Sequence, residues 1–141
     1  MVARAQVSVP EREEASDTLL RRALVGNALF SAVAAVVMIV ASGRISDFTG
    51  LSPGWVPAAI GAGVLIWAVD VAYIARRDEI PRWLAWMVIG GDLARVAASY
   101  GIIIAGVPEL TTAGAWTVGI LAEIVAAFAA IQYLGLRRLR S

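Results

Sequence analysis

Four apolar stretches, each close to twenty residues long, decide what this chain can be. They cover residues 23–41, 55–75, 83–106 and 113–136. Each matches the roughly 20 residues that cross a hydrocarbon core of about 30 Å. In lipid the backbone must satisfy its own hydrogen bonds, so spans of this length fold as helices. The chain therefore reads as an all-α membrane protein, a bundle of four transmembrane helices over about residues 19–42, 55–76, 82–106 and 112–136. A polar, mixed-charge arm, residues 1–18, precedes a transmembrane domain of residues 19–141.

The boundaries carry helix signals. Ser16, Asp17 and Thr18 offer N-caps to the first span, Ser52-Pro53 stands before the second, and Thr111-Thr112 precede the fourth. Pro81 opens the third span and Pro57 falls in the first turn of the second, where a missing N–H does little harm. The segment 44–52 reads as a connecting loop.

Arginine placement sets an expected orientation. Ten of the twelve arginines lie on one side, in the N-terminal arm, the loop "RRDEIPR" and the C-terminal "LRRLRS". The positive-inside rule makes that side cytoplasmic, with both termini inward, as in a multi-pass protein of a bacterial inner membrane. Trp55, Trp83, Trp86 and Trp116, near span ends, read as interfacial anchors. The "ASG" at 41–43 resembles a signal-peptidase site. The 19-residue run before it and the acidic Glu11, Glu13, Glu14 and Asp17 fit an uncleaved anchor better.

Composition then removes whole classes of chemistry. There is no Cys, no His and no Lys. Disulfides, thiol nucleophiles, imidazole ligation and Schiff bases are therefore excluded. No cofactor and no metal are expected. The net charge of +1 points to no nucleic-acid partner.

A weak internal repeat is visible. "GNALFSAVA" (26–34) corresponds to "GDLARVAAS" (91–99), and "IARR" (74–77) to "GLRR" (135–138), a period of about 61–65 residues. Two helical hairpins repeated in this way share one orientation, a parallel duplication.

Five strongly polar residues stand within the spans: Asn27, Asp70, Asp92, Arg95 and Glu123. At about 1.5 Å per residue from the flanking arginines, Arg95 and Glu123 both come to roughly 20 Å depth. Asp92 comes to roughly 15 Å, and Asn27 and Asp70 to roughly 8–9 Å. Asp92 and Arg95, three residues apart, share a helix face. Glu123 aligns with Gly119, Ala126, Ala127 and Ala130, and Asp70 with Ala59, Gly63 and Ile66. Small residues let helices approach, so these faces are expected to look into the bundle as one polar column. Arg95 is expected there because Asp92, Glu123 or both neutralise it. The carboxylates outnumber that one arginine. The column is therefore either an ion-pair clamp fixing helix register or a proton-relay or cation site.

"RRALVGNALFSAVAA", "FTGLSPGWV", "GGDLARVAAS" and the closing "FAAIQYLGLRR" together resemble small uncharacterised bacterial four-helix integral membrane proteins. That resemblance covers residues 19–138 and implies a fold and a lipid location, and no activity. Small multidrug transporters are similar in size and helix count. Their membrane carboxylate lies in the first helix, where this chain has Asn27, and nothing is carried over from them. The expected role is an accessory or scaffold subunit whose polar cluster serves helix packing. The alternatives are a small binding or transport protein with a proton-linked site, and a membrane enzyme acting on lipid. The expected partners are the bilayer and either further copies of the chain or a larger membrane complex.

Overall fold

The computed structural model describes residues 9–106 and 110–139, with side chains from residue 17. Residues 1–8 of the expected arm, the Glu11, Arg12, Glu13 and Glu14 side chains, Glu109, Arg140 and Ser141 lie outside what is described. Five helices follow in order: α1 (Val9–Val40), α2 (Ser42–Thr49), α3 (Val56–Ala75), α4 (Arg82–Ile104) and α5 (Thr112–Arg138). Four of them are long and apolar enough to span a membrane, the span within α1 being Asp17–Val40. The molecule is an all-α, multi-pass membrane bundle.

Local sequence explains most helix ends. Pro57 lies in the first turn of α3, and Pro81 is extended just before α4. Thr111 caps α5, its hydroxyl accepting from the Gly114 N–H at 2.9 Å. The first helix departs from expectation: it runs through Ser16–Thr18 without using them as caps. "EREEA" is built of good helix formers, and Asp17 pairs with Arg21 one turn on at 2.7 Å. Segment 44–52 departs too. Residue Ala41 alone interrupts the helix before α2, which ends at Gly50 in the left-handed region at φ 79°.

α3 packs along α1, α1 along α5, and α5 along α4, while the consecutive α3 and α4 form no close pair. The core lies toward the arginine end. Leu20, Leu24, Val71, Ile74, Leu84, Val88 and Leu136 form one buried cluster there. On α4, burial stops at Asp92, so the α2 end of the bundle is the looser half. The outward faces of the spans carry Val33, Val37, Ile66, Val69 and Ile120, all exposed, as a lipid-facing belt requires. Trp55, Trp83, Trp86 and Trp116 are exposed as well.

Burial recurs along the chain. Leu20, Ala23, Leu24 and Asn27 of α1 are buried, and at an offset of 65 so are Ala85, Val88, Ile89 and Asp92 of α4. Ala68, Val71, Ile74 and Ala75 of α3 are buried, and at an offset of 61 so are Ala129, Gln132, Gly135 and Leu136 of α5. Two glycine contacts are reciprocal in the same way. A Cβ on Gly26 would lie 3.0 Å from the Phe128 ring, and one on Gly91 would lie 2.3 Å from the Trp67 ring. Gly26 and Gly91, and Trp67 and Phe128, are equivalent positions at those two offsets. These crossed pairs follow the two offsets of the sequence repeat. The likeness breaks at one seam: α1 packs closely on α5, whereas α4 and α3 stand apart.

Arg21 ties the arginine end together. Its guanidinium donates to the carbonyls of Ala75 at 2.9 Å, Arg77 at 2.5 Å and Asp78 at 2.6 Å. These are carbonyls at and beyond the C-terminus of α3, where a cation complements the helix dipole. At the other end, Ser42 Oγ accepts from the Ala58 N–H at 3.0 Å and donates to the Gly54 carbonyl at 2.5 Å. Thr111 donates its N–H to the Thr49 carbonyl at 2.9 Å and its hydroxyl to that of Phe48 at 2.6 Å, clasping α2 to α5.

Candidate functional site

The polar centre of the molecule is Asp92, which has no exposed surface. Each spanning helix sends it one donor. From α1, Asn27 Nδ2 donates to Oδ2 at 2.5 Å, and from α3 the Trp67 indole N–H donates to Oδ1 at 3.2 Å. From α4, Arg95 Nη1 stands 3.4 Å from Oδ1, and from α5, Gln132 Nε2 lies 3.3 Å from Oδ2. Ser31 supports the set by donating to Asn27 Oδ1 at 3.3 Å. A carboxylate is acceptor-only when ionised, with about four lone-pair sites, so this arrangement fills it.

The demand of that carboxylate shapes its neighbours. Gln132 turns its amide nitrogen to Asp92, and its Oε1 is left buried with no partner among the described residues. An orphaned acceptor costs about 1–3 kcal/mol, and bonds to charged groups return about 1.5–3 kcal/mol, so the orientation is sustained. Trp67 reaches Asp92 only because Gly91 leaves room for its ring. The indole fills the gap where α3 and α4 stand apart.

Of the five residues expected to form one column, the structure brings three together: Asn27, Asp92 and Arg95. Counted depth had separated Asn27 from Asp92 by about 6 Å. That count treats all flanking arginines as one level, and they are not. Asn27, five residues beyond Arg22, hydrogen-bonds Asp92, ten residues beyond Arg82, so Arg22 stands deeper than Arg82.

Glu123 is a correction. It is exposed, it accepts a hydrogen bond from the Tyr100 hydroxyl, and it forms no ion pair with Arg95. The inward face of α5 carries Ala122, Val125, Ala129 and Gln132 instead. Glu123 lines an open groove of about 800 Å³ between the α2-end halves of α4 and α5, with Tyr100, Ile103, Trp116, Gly119 and Ile120. Asp70 is exposed too, and has no hydrogen bond or ion pair among the described residues. On α3 the face turned inward is that of Gly61, Ala68 and Val71. Both misplacements have one cause. Small residues occupy two faces of α3 and of α5, and they mark an interface without saying which.

Sequence reasoning missed Trp67 and Gln132, although both carry a signal. Gln132 is a strongly polar residue within an apolar span. Trp67 lies mid-span, away from the interfacial tryptophans, where its N–H needs a buried acceptor.

No family model, characterised protein or solved structure matches the chain. Among the described residues no three acidic groups stand together as a carboxylate metal site would need. What the hub does chemically is accept: it draws four helices onto one carboxylate. Among the described polar groups within the spans, spare capacity is left on Arg95, on the side away from Asp92, on the orphaned Gln132 Oε1, and on the exposed Glu123 and Asp70.

Proposed function

We propose that this protein is an accessory subunit of a larger membrane assembly, attached through the groove between α4 and α5. The observation that carries this reading is the exposure of Glu123, a carboxylate some eleven residues into a spanning helix, as the one charged side chain among the described residues of a mostly apolar groove. An ionisable group at such depth costs about 2.5–3.5 kcal/mol even by insertion scales, and in folded membrane proteins it faces protein or water. Tyr100 supplies a single hydrogen bond. The occupant that completes the site is a partner's transmembrane helix carrying an arginine or lysine level with Glu123.

A second copy of this chain suits the groove poorly. A two-fold contact centred there sets Glu123 opposite Glu123, and like charges repel. Arg95, the only cation at comparable depth, is turned toward Asp92 inside the bundle. Against proton-linked transport through one copy stands the packed arginine-end half, where Leu24, Val71 and Val88 are fully buried. In this reading the arginine end faces the cytoplasm of a bacterial cell, and the hub keeps the docking face rigid.

The test is site-specific photo-crosslinking in native membranes, from position 120 in the groove and from position 33 on the outer face of α1. Position 120 is expected to capture a protein whose cross-linked peptide is a transmembrane segment containing Arg or Lys. Position 33 is expected to capture only lipid. Glu123→Leu should lower the capture roughly tenfold, equivalent to about 1.4 kcal/mol. Glu123→Arg combined with an acidic residue at the partner's basic position should restore it. Capture of a second copy of this chain, or of lipid alone, would contradict the proposal.

A further inference from the structure

A second cavity, of about 340 Å³ and partly open to the outer surface, lies among the spanning helices toward the α2 end, and it is separate from the groove. All four spanning helices wall it: Phe30 and Ala34 from α1, Val64 from α3, Val96 from α4 and Val125 from α5. Arg95 is the one charged residue that lines it. The Arg95 side chain retains 30% of its exposure, whereas Asp92 beside it has none, so the guanidinium is open to the cavity.

Its bonding is incomplete. A guanidinium offers five N–H donors. Among the described residues Arg95 uses one, toward Asp92 at 3.4 Å, a long contact for a charged pair. Asp92 takes its other hydrogen bonds from Asn27, Trp67 and Gln132. Ser99, also on the wall, gives its hydroxyl proton to the Arg95 carbonyl at 2.8 Å. The cavity thus combines spare donors and a positive charge with apolar walls.

We infer that this cavity binds a lipophilic organic anion, a carboxylate on a medium-length apolar chain, with Arg95 holding the carboxylate. A cation is repelled by Arg95, a neutral apolar molecule leaves the donors unused, and a small inorganic anion leaves the walls unfilled. The volume falls in the lower part of the roughly 300–1,000 Å³ range of small-molecule sites. The apolar walls lower the local dielectric and so strengthen the ion pair that the ligand forms. This site is independent of the proposed partner groove, because Arg95 and Glu123 line different cavities.

The probe is a photoreactive decanoate, applied to the full chain in discs of uncharged phospholipid. Saturable labelling is expected within residues 30–38 and 118–125. Decanoate should compete, while decanol, decylamine and acetate at equal concentration should not. Arg95→Gln should reduce the labelling at least tenfold. Ala34→Phe, which fills the cavity and leaves Arg95 and Asp92 in place, should abolish it and guards against a folding failure of the first variant. Glu123→Leu should leave it unchanged, which separates this site from the groove. Equal competition by decanol and decylamine would overturn the inference, as would equal competition by acetate. Labelling untouched by Ala34→Phe would overturn it as well.

Discussion

Asp92→Ala is expected to lower the stability of the bundle by about 3 kcal/mol, measured by thermal or SDS-induced unfolding in mild detergent. Three neutral donors lose their acceptor: Asn27, Trp67 and Gln132. Interhelical hydrogen bonds within membranes average about 0.6 kcal/mol each, which gives roughly 2 kcal/mol for the three. The fourth partner, Arg95, is left an uncompensated charge. Breaking a buried ion pair costs about 3–5 kcal/mol in full. Arg95 is about one-third exposed to its cavity and its contact is long, so only a fraction of that applies. Glu123→Ala and Asp70→Ala remove carboxylates from the same spans and are expected to stay within about 0.5 kcal/mol of the native protein. The contrast among the three, more than any one value, separates a hub from a set of intramembrane acids. Equal losses at all three positions would show that position within the span matters and the hub does not.

The second large effect is expected at Gly114. A methyl group there would lie 2.4 Å from the Thr49 carbonyl oxygen and 2.8 Å from the Thr49 Cα. Both are backbone atoms, and Thr49 is held by its bond from the Thr111 N–H. No side chain can swing aside, so Gly114→Ala must push α2 away from α5. Overpacking of this kind costs about 1–3 kcal/mol, and Gly114→Val should reach the upper part of that range. Gly101→Ala makes the same chemical change within α4 where nothing lies within 4 Å. It is expected to be neutral or to stabilise by up to about 1 kcal/mol through helix propensity. The chain has no cysteine of its own, so Ser46→Cys, at a buried position on α2, gives a direct readout. A maleimide should label it slowly in the native background and quickly with Gly114→Val. Slow labelling in both would mean that α2 tolerates the clash.

The spans were legible because hydrocarbon thickness sets helix length almost regardless of residue detail. The central acid–base pair was legible for a related reason: Asp92 and Arg95 sit three apart on one helix, so their proximity is local. Which residues join them from other helices was not local. It depends on helix rotation, and in α3 and α5 small residues on two faces left the rotation open. Glu123 and Asp70 were therefore turned inward by expectation and outward by the fold. Depth failed for a comparable reason, because Arg22 and Arg82 are not level, and only the contact of Asn27 with Asp92 reveals it. α2 escaped notice because "SGRISDFT" has neither the length nor the apolar content of a span. Its place is set by contacts with Gly54 and Ala58 at the start of α3 and with Thr111 and Gly114, more than sixty residues away. The repeat was faintly visible as "GNALFSAVA" and "GDLARVAAS". Its substance lies in buried positions, with Gly26 and Gly91 each received by an aromatic ring of the other hairpin.

The central claim is that Arg95 belongs to Asp92 and not to Glu123, and a pair of double-mutant cycles tests it most directly. Arg95→Leu is combined with Asp92→Leu in one cycle and with Glu123→Leu in the other, with unfolding free energies read in the same detergent. The predicted coupling for the Asp92 cycle is about 1 kcal/mol or more, since removing both partners spares the stranded charge. The Glu123 cycle is predicted to be additive within about 0.5 kcal/mol, as for groups without shared partners. A strong coupling of Arg95 to Glu123, or none to Asp92, would contradict the arrangement described here.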